Sequence, residues 1–481
     1  TSGTVNANTV TTLTGSASDL ITAYASGGIS NLGDEVVSVS SGNASTSQAN
    51  TLAAATSGVV TATLSDGDLA TLAGLTETGN AYSITITDTS VDAAALNTLD
   101  GKTTVAINAS AITTLTGAAA DLNTAYDSAG INNLGNEAVT LSDTTLAVSV
   151  LNTLDGHTSE SIDAGTVTSL TSDDYDSLNT AYTSANGGAI TGLGDEAISV
   201  SGRIRVSEAN TLNGHTTGAI TATVTNSDGS GNLNISSALS LNGTGNAYSI
   251  RIKEKTVSAS DLLAVDAITT TTVNAQNIRT LEGTYTEVID SYAAETAGTV
   301  SGLGSNCNFN ISGSITVAEA NTLSVLITNN NRRLTATISD GDMATLAGIS
   351  ESDHNLTITI TDTSVDAAAL NTLDGKTDTA IDAGNITTLT GAAADLNTAY
   401  DSAGISNLGN EAVTLSDTTL ASSVLNTLDD HTSGTIDAGT VTTLTGAAAD
   451  LNTAYDSGSI SNLGNEAVTL SDTTLASSVL N

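Results

Sequence analysis

Residues 412–426, AVTLSDTTLASSVLN, recur letter for letter at 467–481. Repetition of this kind constrains the fold more than any other feature of the chain. A stretch that returns at a fixed offset must take the same local structure each time, and the simplest way to satisfy all copies is to stack them. DTSVDAAALNTLDGKT at 88–103 returns at 362–377, and ITTLTGAAADLNTAYDSAGI at 112–131 returns at 386–405. Both pairs share one offset, and so do TATLSDGD from Thr61 and TATISDGD from Thr335. Inside these long copies lie smaller units, mostly about 24 residues and some about 31–35, roughly 18 in all by the period-reading rule.

Each unit opens on a short alternating apolar stretch: VVSVS from Val36, ITITD from Ile84, AVTLSD from Ala138 and Ala412, AISVSG from Ala197. Period two with β-branched residues reads as strand. A helical pattern follows. In DTSVDAAALNTLDG (362–375), Thr363 or Ser364 is placed to cap the first turn, and Asp366 sits near the positive helix end. Val365, Ala369 and Leu373 then share one helical face, and Gly375 supplies the stop. In the longer units Leu389, Ala393, Leu396 and Tyr400 follow the same logic. Helices of two or three turns are unstable alone and must be held by packing.

The expected fold is a repeat solenoid. It is a right-handed parallel β/α solenoid, each coil one short strand plus a short helix or turn, with about 18 coils. At about 4.8 Å per coil the array would be roughly 85 Å long. Composition agrees. The chain has no proline, where average usage predicts about 24. In stacked coils nearly every strand is central, and each N–H must donate to a neighbour, which proline cannot do. Aromatics are 2% and the hydrophobic share is 39%, so the core must be Ala, Val, Ile and Leu. Three segments are expected: regular coils over 1–202, degenerate coils over 203–333, and regular coils over 334–481. The middle segment carries the insertion NSDGSGNLNISS from Asn226. No capping unit is visible at Asn481, so the chain reads as a piece of a longer array with an open strand edge.

The net charge of −41 argues against nucleic acid, whose phosphates require clustered Lys and Arg, and against an anionic membrane surface. No apolar run approaches the roughly 20 residues needed to span a bilayer. Cys307 is the one cysteine, so no disulfide framework exists.

Candidate chemistry is sparse. His157, His215 and His431 occupy one repeat position that is Lys102 and Lys376 elsewhere, which reads as a solvated turn and not a zinc ligand. Tyr24, Tyr126, Tyr182, Tyr400 and Tyr455 all end TAY, with Leu four residues earlier, a packing position on a helix. Asp66, Asp68, Asp88, Asp143, Asp362, Asp417 and Asp472 place a carboxylate just after the strand, unit after unit. Two readings apply to them: Ca²⁺ held between coils, or helix capping, and capping is preferred. Calcium is the only cofactor the sequence suggests. Eight of the ten basic residues fall within 203–333. Among them Arg203, Arg205, Arg251, Lys253 and Lys255 form a candidate lateral contact patch, against the plainer reading of local pairs with Glu208 and Glu254.

The run TLTGAAADLNTAYDSAGISNLGNEAVTLSDTTLASSVLNTLDDHTSGTIDAG resembles the tandem repeats of giant cell-surface proteins of marine cyanobacteria and similar bacteria, some tied to swimming without flagella. The resemblance is weakest over 203–333. It implies an exported, surface-attached or filamentous protein and carries over no catalytic residue. The expected function is a structural segment of an extracellular repeat fibre, surface layer or filament, self-associating end to end or side by side. The alternative is an adhesin stalk or phage-type fibre that binds a glycan or host surface. An enzyme is not expected.

Overall fold

The structure, a computed structural model, describes residues 3–226, 229, 231–304, 307–329 and 331–479. The chain folds as a β/α repeat solenoid: short parallel strands, each set followed by a helix, stacked coil upon coil. Among the described residues every strand pairing is parallel.

The alternating stretches form the strands because their inward residues are aliphatic. In Thr388–Gly391, Leu389 is fully inside and the threonines face outward. This strand pairs with Ala412–Leu415 one coil later, Leu389 opposite Val413. Val413 in turn pairs with Ile436, and Ile436 with Ile460. Rows of buried Leu, Val and Ile thus run from coil to coil, each completing the interior left open by its neighbour.

A regular coil carries two strands, not one. The two-residue strand Ile381–Asp382 comes before Thr388–Gly391, and Ile405–Ser406 comes before Ala412–Leu415. The longer unit adds a third, Thr419–Ala421, before the helix Ser422–His431. Its first strand pairs backward with Ile381–Asp382 and its third pairs forward with Thr443–Gly446, while the middle strand pairs both ways. The extra strand accounts for the mixture of unit lengths in the sequence.

The helices begin later than the sequence pattern suggests. Ala367–Asp374 is capped by Asp366, whose carboxylate accepts from the Ala369 N–H at 3.1 Å, and not by Thr363 or Ser364. Val365 belongs to the strand Ser364–Asp366. The buried helical face is Ala367, Leu370 and Leu373, and Ala369 is exposed. Leu389 likewise lies in a strand, and its helix Ala393–Asp401 buries Ala393, Leu396 and Ala399. Successive helices are tied by asparagine. Asn371 Nδ2 donates to the Asp395 carbonyl at 2.8 Å, Asn397 to Val424 at 3.2 Å, and Asn426 to Asp450 at 2.9 Å.

The chain forms two compact units. The first comprises Thr1–Gly231 and Ser240–Ser249; the second comprises Asn232–Leu239 and Ile250–Asn481. The division falls inside the 203–333 segment, and part of the insertion after Asn226 lies outside the described residues. The long sequence copies fall one in each unit and build the same elements: Ser90–Asp92 and Ala93–Asp100 in the first, Ser364–Asp366 and Ala367–Asp374 in the second.

Candidate functional site

The residues that carry chemistry are spent on joining coils. The aspartates after the strands show this most simply. Asp66 accepts from the Thr46 N–H at 2.7 Å, Asp88 from Leu69 at 2.6 Å, and Asp143 from Ala119 at 2.7 Å. Asp362 accepts from Met343, Asp417 from Ala393 and Asp472 from Ala448, each at 2.7 Å. Each donor is the first residue of a helix, but the helix belongs to the preceding coil. The cap is therefore supplied in advance of the chain. The free N–H groups of a helix start are satisfied by the coil that stacks on it. Asp68 differs, because it caps its own helix Leu69–Leu72 through the Thr71 N–H at 2.8 Å. The Thr71 hydroxyl and N–H hold the Asp68 carboxyl below its usual range. Asp340 and Glu254 fill the same cross-coil position toward Val317 and Ile235. Among the described residues, no three His, Cys, Asp or Glu side chains converge where they could hold a metal ion. The candidate calcium ligands stand singly, each engaged by a backbone amide.

A second construction recurs just before the strands. Glu35, Glu137, Glu196 and Glu411 are fully buried carboxylates. Burying an unpaired charge is costly, so each must be met by donors. The N–H two residues earlier supplies one: Gly33 at 2.8 Å, Gly135 at 2.7 Å, Gly194 at 2.6 Å and Gly409 at 2.8 Å. Three of these glycines (Gly33, Gly135 and Gly194) have φ near +140°, which excludes most side chains, and Gly409 has φ +130°. At three of the four, a tyrosine hydroxyl from the adjoining helix supplies the other. Tyr24 donates to Glu35 at 2.9 Å, Tyr400 to Glu411 at 3.1 Å, and Tyr182 to Glu196. Burial pushes the Glu35 carboxyl up, but the Gly33 amide and the Tyr24 hydroxyl more than reverse this, and it lies below its ordinary value. Burial and the Glu35 charge push Tyr24 up to about 12.

The following coil closes over this pair. His157 stacks on Tyr126 with ring centroids 5.4 Å apart, His215 on Tyr182 at 4.7 Å, and His431 leans on Tyr400 at 5.5 Å. These histidines are half-buried packing groups, so the expectation of a solvated turn fails for them. His431 Nε2 also lies 3.2 Å from Asp401. The next residue, Thr158, Thr216 or Thr432, donates its hydroxyl to the carbonyl of the buried glutamate. A buried carboxylate locked by an amide, a phenol and a covering ring has no approach for a substrate. Its chemistry is that of a staple.

The tyrosines do pack along helices as expected, but the glutamate partner was not read from the sequence. The signal was present: GDE or GNE ends eleven residues after TAY at Tyr24, Tyr126, Tyr400 and Tyr455.

The basic candidates are shared between the two compact units. Arg203 and Arg205 lie on the strand Ala197–Arg205 of the first compact unit, whereas Arg251, Lys253 and Lys255 belong to the second. Arg205 pairs with Glu208 at 2.8 Å, the local pairing considered for it. Glu254 accepts from the Ile235 N–H instead. A shallow groove of about 210 Å³ in the first unit is lined by Ser149, Thr171, Asp173, Asp174, Ser177 and Ser201. Ser201 already donates to Asp173 at 2.7 Å. No helix among the described residues is long and apolar enough to cross a membrane. Comparisons with protein families, with curated proteins and with solved structures find no match.

Proposed function

We propose that the chain is a structural segment of an extracellular repeat fibre, surface layer or filament, each compact unit acting as a stiff, hydrated, anionic spacer. One observation carries this reading. Aspartates after the strands and buried glutamates with their tyrosines are committed to cross-coil bonds beside parallel strand ladders, with histidine rings packed over the tyrosines. Such ladders resist extension along the stacking direction, because the backbone bonds of each coil-to-coil junction share the load. The outward threonines and the net charge of −41 keep the surface wet. Self-association belongs to this role; nucleic acid, membrane insertion and catalysis do not. Calcium is not required by it.

The test is location. Antibody labelling of intact cells that make the protein is expected to decorate the surface, and added protease is expected to remove the signal without lysis. Signal that appears only after lysis would overturn the reading.

A further inference from the structure

One repeat position in the second unit departs from the pattern that holds elsewhere. Asn80 and Asn246 open the sequence NAYSI at 80–84 and 246–250, and the same position is His354 in HNLTI at 354–358. Both asparagines are buried, and each ties its coil to the one before. Asn80 Oδ1 accepts from the Val60 N–H and Asn246 Oδ1 from the Ile220 N–H, each at 2.8 Å. His354 is also buried, 6% exposed, but its ring makes no such tie. Nδ1 lies 3.2 Å from the Asp353 carbonyl, and Nε2 is buried with no hydrogen-bond partner among the described residues. A carbonyl can only accept, so Nδ1 carries the proton of the neutral ring and Nε2 presents a lone pair. Burial, aided by the Arg333 charge, holds the imidazole below its ordinary value and favours that neutral form.

The chain also differs just upstream. Four residues, 56–59, join Thr46–Ala55 to Val60–Thr63 in the first unit. Seven, 327–333, join Val317–Leu326 to Leu334–Ile338 in the second, and they end in Arg332 and Arg333. The longer connection and the histidine meet at a hollow of about 200 Å³, whose lining includes Arg332, Arg333, Glu351, Ser352, Asp353 and His354. Arg333 Nε stands 3.6 Å from Asp378, a loose pair. Arg332 Nε is buried with no hydrogen-bond partner among the described residues. Two arginines thus line one hollow in a chain of net charge −41.

The geometry points to a binding site for one ring of an acidic sugar, a hexuronate residue of a polysaccharide, held in this hollow. The sugar carboxylate answers Arg332 and Arg333, since guanidinium groups meet carboxylates through paired N–H donors. The ring hydroxyls answer the buried Nε2 of His354 and the exposed carboxylates of Glu351 and Asp353. Several acceptors ask for several hydroxyls, whereas an amino acid concentrates its donors at one ammonium. The volume is below the roughly 300–1,000 Å³ of larger ligand sites, so the hollow takes a single ring. The site goes beyond the spacer role. It gives an acidic polysaccharide a place to be held against a surface that otherwise repels it.

The test uses the full 481-residue chain, with glucuronate as the probe and glucose, acetate and glycine beside it. Saturation-transfer NMR is expected to show glucuronate binding in the millimolar range, with the other three at least about tenfold weaker. Bound glucuronate is also expected to raise the melting temperature. His354→Asn restores the residue that the fold uses at 80 and 246, so it is expected to fold and to weaken glucuronate about tenfold. Arg332→Ser is expected to weaken it as much, and Arg205→Ser, in the first unit, to leave it unchanged. No binding of glucuronate, binding that survives both His354→Asn and Arg332→Ser, or glucose or glycine bound as tightly overturns the site. An equal loss in Arg205→Ser also overturns it, because diffuse charge would then be the cause. The measurement is made on purified protein, so its failure leaves the surface location untouched. A protein found only inside cells would leave the binding result standing.

Discussion

Two places in the second unit solve one packing problem differently. At the first, Tyr400 donates to the buried Glu411, and His431 of the next coil covers the ring. At the second, Tyr292 occupies the equivalent helix position, but the buried residue before the strand is Cys307. Tyr292 turns its hydroxyl to the Gly304 carbonyl at 2.6 Å, and Phe309 meets its ring edge-on with centroids 5.6 Å apart. The comparison separates what the coil requires from what it tolerates. It requires a filled volume, and at both places the tyrosine hydroxyl finds an acceptor. It tolerates loss of the charge. The neutral version lies in the stretch where bases concentrate, with Arg279 and Arg332 acting on the Cys307 thiol.

The largest effect should come from breaking the charged version. Glu411→Ala strips Tyr400 and the Gly409 amide of a buried acceptor and is expected to cost about 3 kcal/mol. Cys307→Ala removes little more than volume and is expected to cost about 1 kcal/mol. Urea midpoints, with hydrogen exchange over each junction, measure both. Equal losses would show that charge and volume matter alike. Next comes Gly434→Ala, whose new Cβ would run into the Glu411 carbonyl from the coil above. Overpacking there is expected to cost about 2 kcal/mol, with protection lost around 411–415 first. Asp417→Ala removes one cross-coil cap and is expected to cost about 1 kcal/mol, seen as faster exchange at the start of Ala393–Asp401, a full coil upstream of the substitution.

pH should separate the two chemistries. The Glu35 pair stands for the charged version: its folded value lies below the ordinary 4.5. Its contribution is therefore complete above that pH and lost as pH falls through the folded value. Cys307 behaves oppositely, since burial pushes its thiol from 9.0 up to about 11. Its contribution is complete below pH 9 and lost as pH rises toward 11. Melting curves should therefore show an acid limb moved by Glu35→Gln and an alkaline limb reduced by Cys307→Ala. The smallest effect is expected from EGTA, which should leave the melting temperature unchanged. A marked fall would restore calcium to the carboxylates.

Much of the architecture was legible before any coordinates. Exact repetition, alternating apolar runs and the missing proline lead to stacked parallel strands, and the structure has them. The helix starts were not legible, because Asp366 ends a strand and caps a helix at once. Spacing alone assigned Val365 to the wrong element. The caps were half legible. Aspartate after a strand pointed to capping, but which helix it serves depends on stacking register, which is a property of two coils together. Glu411 was missed because a glutamate in a polar turn ordinarily faces water. Only the neighbouring coil reveals that Tyr400, Thr432 and His431 close over it.

The borrowed helix caps give the array a direction. A helix whose first amide is met by a carboxylate about twenty residues downstream stays incomplete until that later segment has arrived and docked. Order should therefore spread from earlier coils to later ones, each newcomer finishing the work of its predecessor. Peeling should begin at the opposite end. A chain made in N-to-C order would meet its requirements in the sequence it needs them.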